Sequence, residues 1–142
     1  LHFATKDHVL LEILHRMEGA VAGRLRENLT RPLDEFLVLA VRLLSEVATG
    51  EDAAIVPDVL AMIARREDLL ATSEVALVEV VTQFLVDAQG RGEVRRDVRV
   101  EELAQVFLSG VLGVLISRTR DAAGLRSAME RAADVFVRGF RA

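Results

Sequence analysis

The chain contains no cysteine, no tryptophan and no tyrosine. Without cysteine, a disulfide scaffold, a thiolate metal site and a cysteine nucleophile are excluded together. Without tyrosine, a phenolic acid is excluded as well. A cysteine-free chain fits a reducing compartment, and the expectation is a cytoplasmic protein. Only two prolines, Pro32 and Pro57, interrupt the 142 residues, and the long stretches between them favour helix. Aromatics amount to 4%, all six of them Phe, while 51% of the chain is hydrophobic, so Ala, Val, Leu and Ile must fill the core. No basic segment precedes an apolar run, and no signal peptide is read. The most apolar stretch, residues 103–117, contains Gln105 and falls short of the ~20 residues of a bilayer span. No membrane partner is therefore expected. The net charge of −4 argues that this stretch alone does not hold DNA, since nucleic-acid domains carry basic patches.

What is present reads as six helices and no strands, an all-α helical bundle. A chain of this length buries about two-thirds of its unfolded surface. Thr5 can cap a first helix over residues 6–29, with Asp7 in the first turn where the helix dipole favours an anion. Leu10, Ile13, Leu14, Met17 and Val21 share one face of it; His8, Glu12, His15 and Arg26 share the other. After Thr30-Arg31, Pro32 suits an N-terminal helical position, and the second helix runs to about residue 48. It buries Phe36, Leu37, Ala40, Leu43, Leu44 and Val47. A short third helix follows to about residue 66, and Pro57 either begins it or kinks it. The fourth covers residues 70–89, with Leu77, Val78, Val81, Phe84 and Leu85 on its apolar arc. Gly90-Arg91-Gly92-Glu93 contains part of a phosphate-binding glycine loop, but no strand precedes it and the third glycine is absent. It reads as a plain turn.

The last two helices differ from the rest. Over residues 103–116 the only polar side chains are Gln105 and Ser109, and a helix that is apolar all round must be covered all round. Ser109, Gly113 and Ser117 recur every four residues, with Gly110 beside them and Val106 a turn before. Asp121 can cap the final helix, where Gly124, Ala128 and Ala132 repeat the spacing, flanked by Leu125, Met129, Val135, Phe136 and Phe140. Either the two helices form a tight pair within the chain, or both also pair with their copies in a second subunit. Their apolar surfaces are broader than one partner helix covers, which favours a homodimer. The interface would hold Val106, Ser109, Gly110, Gly113 and Ser117 of the fifth helix, and Leu125, Ala128, Met129, Ala132 and Phe136 of the sixth.

The segment Leu1-His2-Phe3-Ala4-Thr5-Lys6-Asp7, followed by Val9-Leu10-Leu11, resembles the junction between the DNA-recognition helix and the long fourth helix of TetR-family regulators. The run from Gln89 to Val98, with Gly92-Glu93-Val94-Arg95-Arg96-Asp97 at its centre, is similar to the turn after that family's seventh helix, with its glycines displaced. The resemblance implies a ligand-binding and dimerisation domain over residues 6–142. It further implies that residues 1–5 are the remnant of a helix-turn-helix headpiece lying before Leu1. Of the family's DNA contacts, His2 and Lys6 match positions that touch phosphate, which places a protein on operator DNA without reading sequence.

No catalytic constellation stands out, and no enzymatic activity is expected. His8, Glu12 and His15 could share a metal by helical spacing, but they occupy the polar face, and an ordinary solvated surface is preferred. Neither a cofactor nor a metal is expected. For a ligand pocket, the candidates are Met17, Phe36, Met62, Ile63, Phe84 and Phe107, with Thr82 and Gln105 as orienting groups. They suggest a small, apolar, uncharged effector that moves the first helix as a lever. The competing expectation is a helical homodimeric adaptor that binds no ligand.

Overall fold

The computed structural model describes residues 5–65, 75–118 and 121–142. Six helices and no strand occur among them: α1 (Lys6–Arg26), α2 (Leu33–Thr49), α3 (Val56–Arg65), α4 (Ala76–Gly90), α5 (Val100–Arg118) and α6 (Ala122–Phe140). The all-α bundle is the expected one. α2 packs chiefly on α6, α1 on α4, and α5 between α4 and α6, while α3 bridges α1 and α5. Their buried side chains form one continuous core.

The helix ends follow from local chemistry. The Thr5 hydroxyl accepts the His8 N–H at 3.1 Å and starts α1 as expected. The helix stops at Arg26 rather than residue 29, because the Asn28 amide donates to the Arg24 carbonyl at 2.7 Å and satisfies the last turn from outside it. Pro32 sits at the N-cap of α2, one residue ahead of the expected position. Pro57 is the second residue of α3 and begins that helix without kinking it. The expected start of α4 at residue 70 lies outside the described residues. α5 begins at Val100, three residues early, since Glu101 and Glu102 suit a first turn that the apolar pattern omits. Its residues 100–117 are long and apolar enough to cross a membrane by length and composition, contrary to the sequence estimate. Here Leu103, Phe107, Leu108 and Val111 point into the bundle instead.

The glycine-containing turn is a helix stop. Gly92 takes φ +82°, its N–H donates to the Gln89 carbonyl, and the Glu93 N–H donates to the Ala88 carbonyl. These are the two bonds of a Schellman cap. The chain then crosses the C-terminus: Arg95 N–H donates to Phe140, and Ala142 N–H donates to Glu93. Arg95 also grips Asp97 with two bonds of 2.7 Å. That pairing holds the Asp97 carboxyl at about 2, below its ordinary 3.8.

Aromatic packing divides the core. Phe36 and Phe84 stack in parallel at 3.7 Å, and Phe107 meets Phe136 edge-on at 5.3 Å with Phe140 beside them. This cluster lies where α2 and α5 begin and α4 and α6 end. Among the described residues, the opposite end is filled chiefly by aliphatic side chains.

Candidate functional site

The aliphatic end is incompletely filled. A cavity of about 90 Å³ lies between α1, α2, α3, α4 and α5. Met17 and Val21 wall it from α1, Val47 and Ala48 from α2, Val59 and Ile63 from α3, and Leu108 and Val111 from α5. Val, Leu and Ala cannot reach across the gap that phenylalanines close at the other end. The void meets α1 along its middle third, so any widening bears directly on that helix.

Among the described residues, the one charged group in this wall is Glu18, only 7% exposed. Its two carboxylate oxygens accept the Leu77 N–H at 2.9 Å and the Ala76 N–H at 3.3 Å. Val75, the N-cap residue of α4, has no side-chain oxygen, so α1 supplies the cap that α4 lacks. With its oxygens committed to α4, Glu18 leaves the void lined by hydrocarbon. A second tie joins α1 to α3, where Arg65 donates to Asp7 at 2.9 Å.

Of the ligand-site candidates, Met17 and Ile63 line the cavity. Phe36, Met62, Phe84 and Phe107 are 0% exposed and packed in the core, none of them among its walls. Thr82 and Gln105 open instead onto an outer groove beside Arg26, Val86 and Arg99. Sequence reasoning missed Glu18, Leu44, Val47 and Ala48 as wall residues. For Glu18 a signal existed: it lies four after Leu14, three before Val21 and seven before Leu25, on the buried stripe of α1.

The ten candidates for an interface fall into two groups. Leu125 and Met129 are each 1% exposed and committed within the chain. Gly110 is closed over by the Phe136 ring, so α5 and α6 approach each other there. Val106, Ser109, Gly113 and Ser117 face outward, and Ala128 and Ala132 are half-buried. Ile116 and Val135, 50% and 67% exposed, extend that outward apolar face and were not among the ten.

At the N-terminal end Lys6 is exposed in the first turn of α1, and His2 lies outside the described residues. His8 Nε2 lies 3.6 Å from Glu12 on the exposed face. No group of three or more potential metal ligands occurs among the described residues.

A search of curated proteins and of solved structures finds no match to the chain. The family model for the C-terminal domain of SbtR-like transcriptional regulators matches residues 32–142, from the start of α2 to the last residue. That span contains five of the six helices and four of the five that wall the cavity. The chain belongs to the TetR family of transcriptional regulators, as an SbtR-like C-terminal domain.

Proposed function

We propose that this domain is the effector-binding and dimerising part of a TetR-type repressor, whose DNA-reading headpiece joins α1 at its N-terminal end. The observation that carries this reading is the hydrocarbon-lined cavity against α1. Pockets of this kind suit apolar ligands, and a polar group placed there without a partner costs roughly 2–7 kcal/mol. At about 90 Å³ the void is smaller than the ~150 Å³ engineered cavity that admits benzene. An effector of useful size therefore pushes the walls apart, and α1 is one of them.

Movement of α1 then changes the spacing of two headpieces in a homodimer. Lys6, together with His2, is assigned to operator phosphate at the moving end. The pairing surface is the outward face of α5 and α6, where Val106, Gly113, Ile116 and Val135 stand exposed. The effector must favour the released state, and a full swing of population takes ~5.5 kcal/mol of differential binding, which a dimer divides between two sites. No catalytic step is assigned to the domain, and its role is regulatory.

The test uses a panel of small apolar compounds in thermal-shift measurements, followed by operator binding with the headpiece attached. A compound that raises the melting temperature should weaken operator binding. A panel that leaves the melting temperature unmoved favours the ligand-free adaptor. An effector-saturated protein that still holds its operator at full strength refutes the lever.

A further inference from the structure

Glu18 occupies an unusual place for a helix cap. It stands in the middle of α1, 58 positions before its first partner, on the wall of the cavity that the proposed effector enters. Leu77 contributes to the same wall while its N–H donates to the Glu18 carboxylate at 2.9 Å. On α1, Asp7 holds the end of α3 through Arg65, and Glu18 holds the start of α4. These two anchors lie about 16 Å apart along the helix axis, from ~1.5 Å rise per residue. A guest too large for a void of about 90 Å³ forces its walls outward, and any parting of α1 from α4 lengthens the bonds of Glu18.

We infer that Glu18 is the positioning residue that couples the cavity to α1. Its cap on α4 holds the effector-free state closed, and the occupied state is one in which that cap is released. The inference rests on the effector-binding reading above. It carries a consequence opposite to that of a cap with only a structural role. A guest that prefers the open state binds more tightly when the closed state is weakened, because less of its interaction is spent on opening. Loss of a merely structural cap lowers stability and leaves affinity unchanged or reduced.

The experiment measures benzene binding by the 142-residue chain, using calorimetry, for the natural protein and two variants. Glu18→Gln keeps the shape and one acceptor oxygen but removes the charge. Ala76→Pro makes its change on α4: it removes one of the two donors and sets a ring carbon against the Glu18 carboxylate that the N–H had met. Proline is tolerated at this first position of α4, and Val75, at φ −84° and ψ 119°, already has the extended backbone that precedes a proline. Both variants should melt earlier than the natural protein and yet bind benzene more tightly, by about two- to thirtyfold, the factor expected from losing a helix cap. The Leu77 amide should also exchange with solvent faster once benzene is bound. Benzene uptake by the variants alone supports the coupling equally. A folded Ala76→Pro protein that binds benzene at natural or weaker affinity overturns it, whatever becomes of Glu18→Gln. If none of the three proteins binds benzene, the effector reading fails and takes the coupling with it.

Discussion

Ala40 and Ala48 stand about two turns apart on α2, both buried, at 0% and 7% exposure. They are chemically identical, but only Ala48 borders the cavity. Replacing each by leucine therefore asks one question in two places. At Ala48 the three added carbons enter existing space. Burying them is worth ~0.8 kcal/mol each, or about 2.4 kcal/mol together. Filling a void of about 90 Å³ at ~24 cal/mol per Å³ gives about 2.2 kcal/mol. The two routes agree, so Ala48→Leu should stabilise the chain by about 2 kcal/mol and raise its melting temperature by roughly 7 °C for a domain of this size. At Ala40 the same carbons meet close-packed neighbours and should destabilise by about 1–3 kcal/mol. Urea denaturation followed by helical circular dichroism measures both, and Ala48→Leu should in addition bind no benzene. If Ala48→Leu melts below the natural protein, or still takes up the probe, Ala48 does not border the binding space and the effector reading loses its site.

The remaining expectations concern the other faces of the bundle. Ile116→Asp combined with Val135→Asp should leave the fold intact and shift the chain to monomer in analytical ultracentrifugation, whereas Leu125→Asp, at a position 1% exposed, should unfold it; a double variant that stays dimeric refutes the assigned face. Gly110→Ala should lower stability by about 1–2 kcal/mol despite alanine's better helix propensity, because the new methyl overlaps the Phe136 ring. Urea denaturation showing a gain would mean that the ring yields freely. The Arg95–Asp97 contact should be lost in acid. Asp97 titrates at about 2 when folded against 3.8 unperturbed, so its contribution is complete above about pH 4 and disappears as the pH falls through about 2. The Arg95 and Ala142 amides, which tie the loop to the C-terminus, should be less protected at pH 2 than at pH 5 once exchange is normalised to the intrinsic amide rate at each pH, and Asp97→Asn should show the lower protection at neutral pH.

The helices were legible because each buries one face, and burial leaves a period in the sequence. Leu10, Met17 and Val21 on α1, and Phe36, Leu37 and Ala40 on α2, are buried where that period puts them. Caps drawn from Thr5 and Asp121 were legible for the same local reason. Asn28 was harder, since a side chain that ends a helix by reaching back to Arg24 has the same composition as one in a loop. The site was much less legible. Met17 and Met62 are both buried methionines on helical stripes, yet one faces a void and the other is fully packed. Periodicity reports that a side chain leaves water, and it carries no information about whether the space opposite is filled. That depends on the summed volumes of residues far apart in the chain, here Phe36 against Phe84 at one end and, among the described residues, mainly Val, Leu, Ile, Ala and Met at the other. The polar residues chosen to orient a ligand, Thr82 and Gln105, lie away from the cavity for a related reason: a polar group in a mostly apolar helix usually marks its wet side. Glu18 breaks that rule, and it can do so only because two backbone donors from another helix meet it. A carboxylate on a buried stripe thus implies a partner that the local sequence does not contain, and in this fold the partner is the uncapped start of α4.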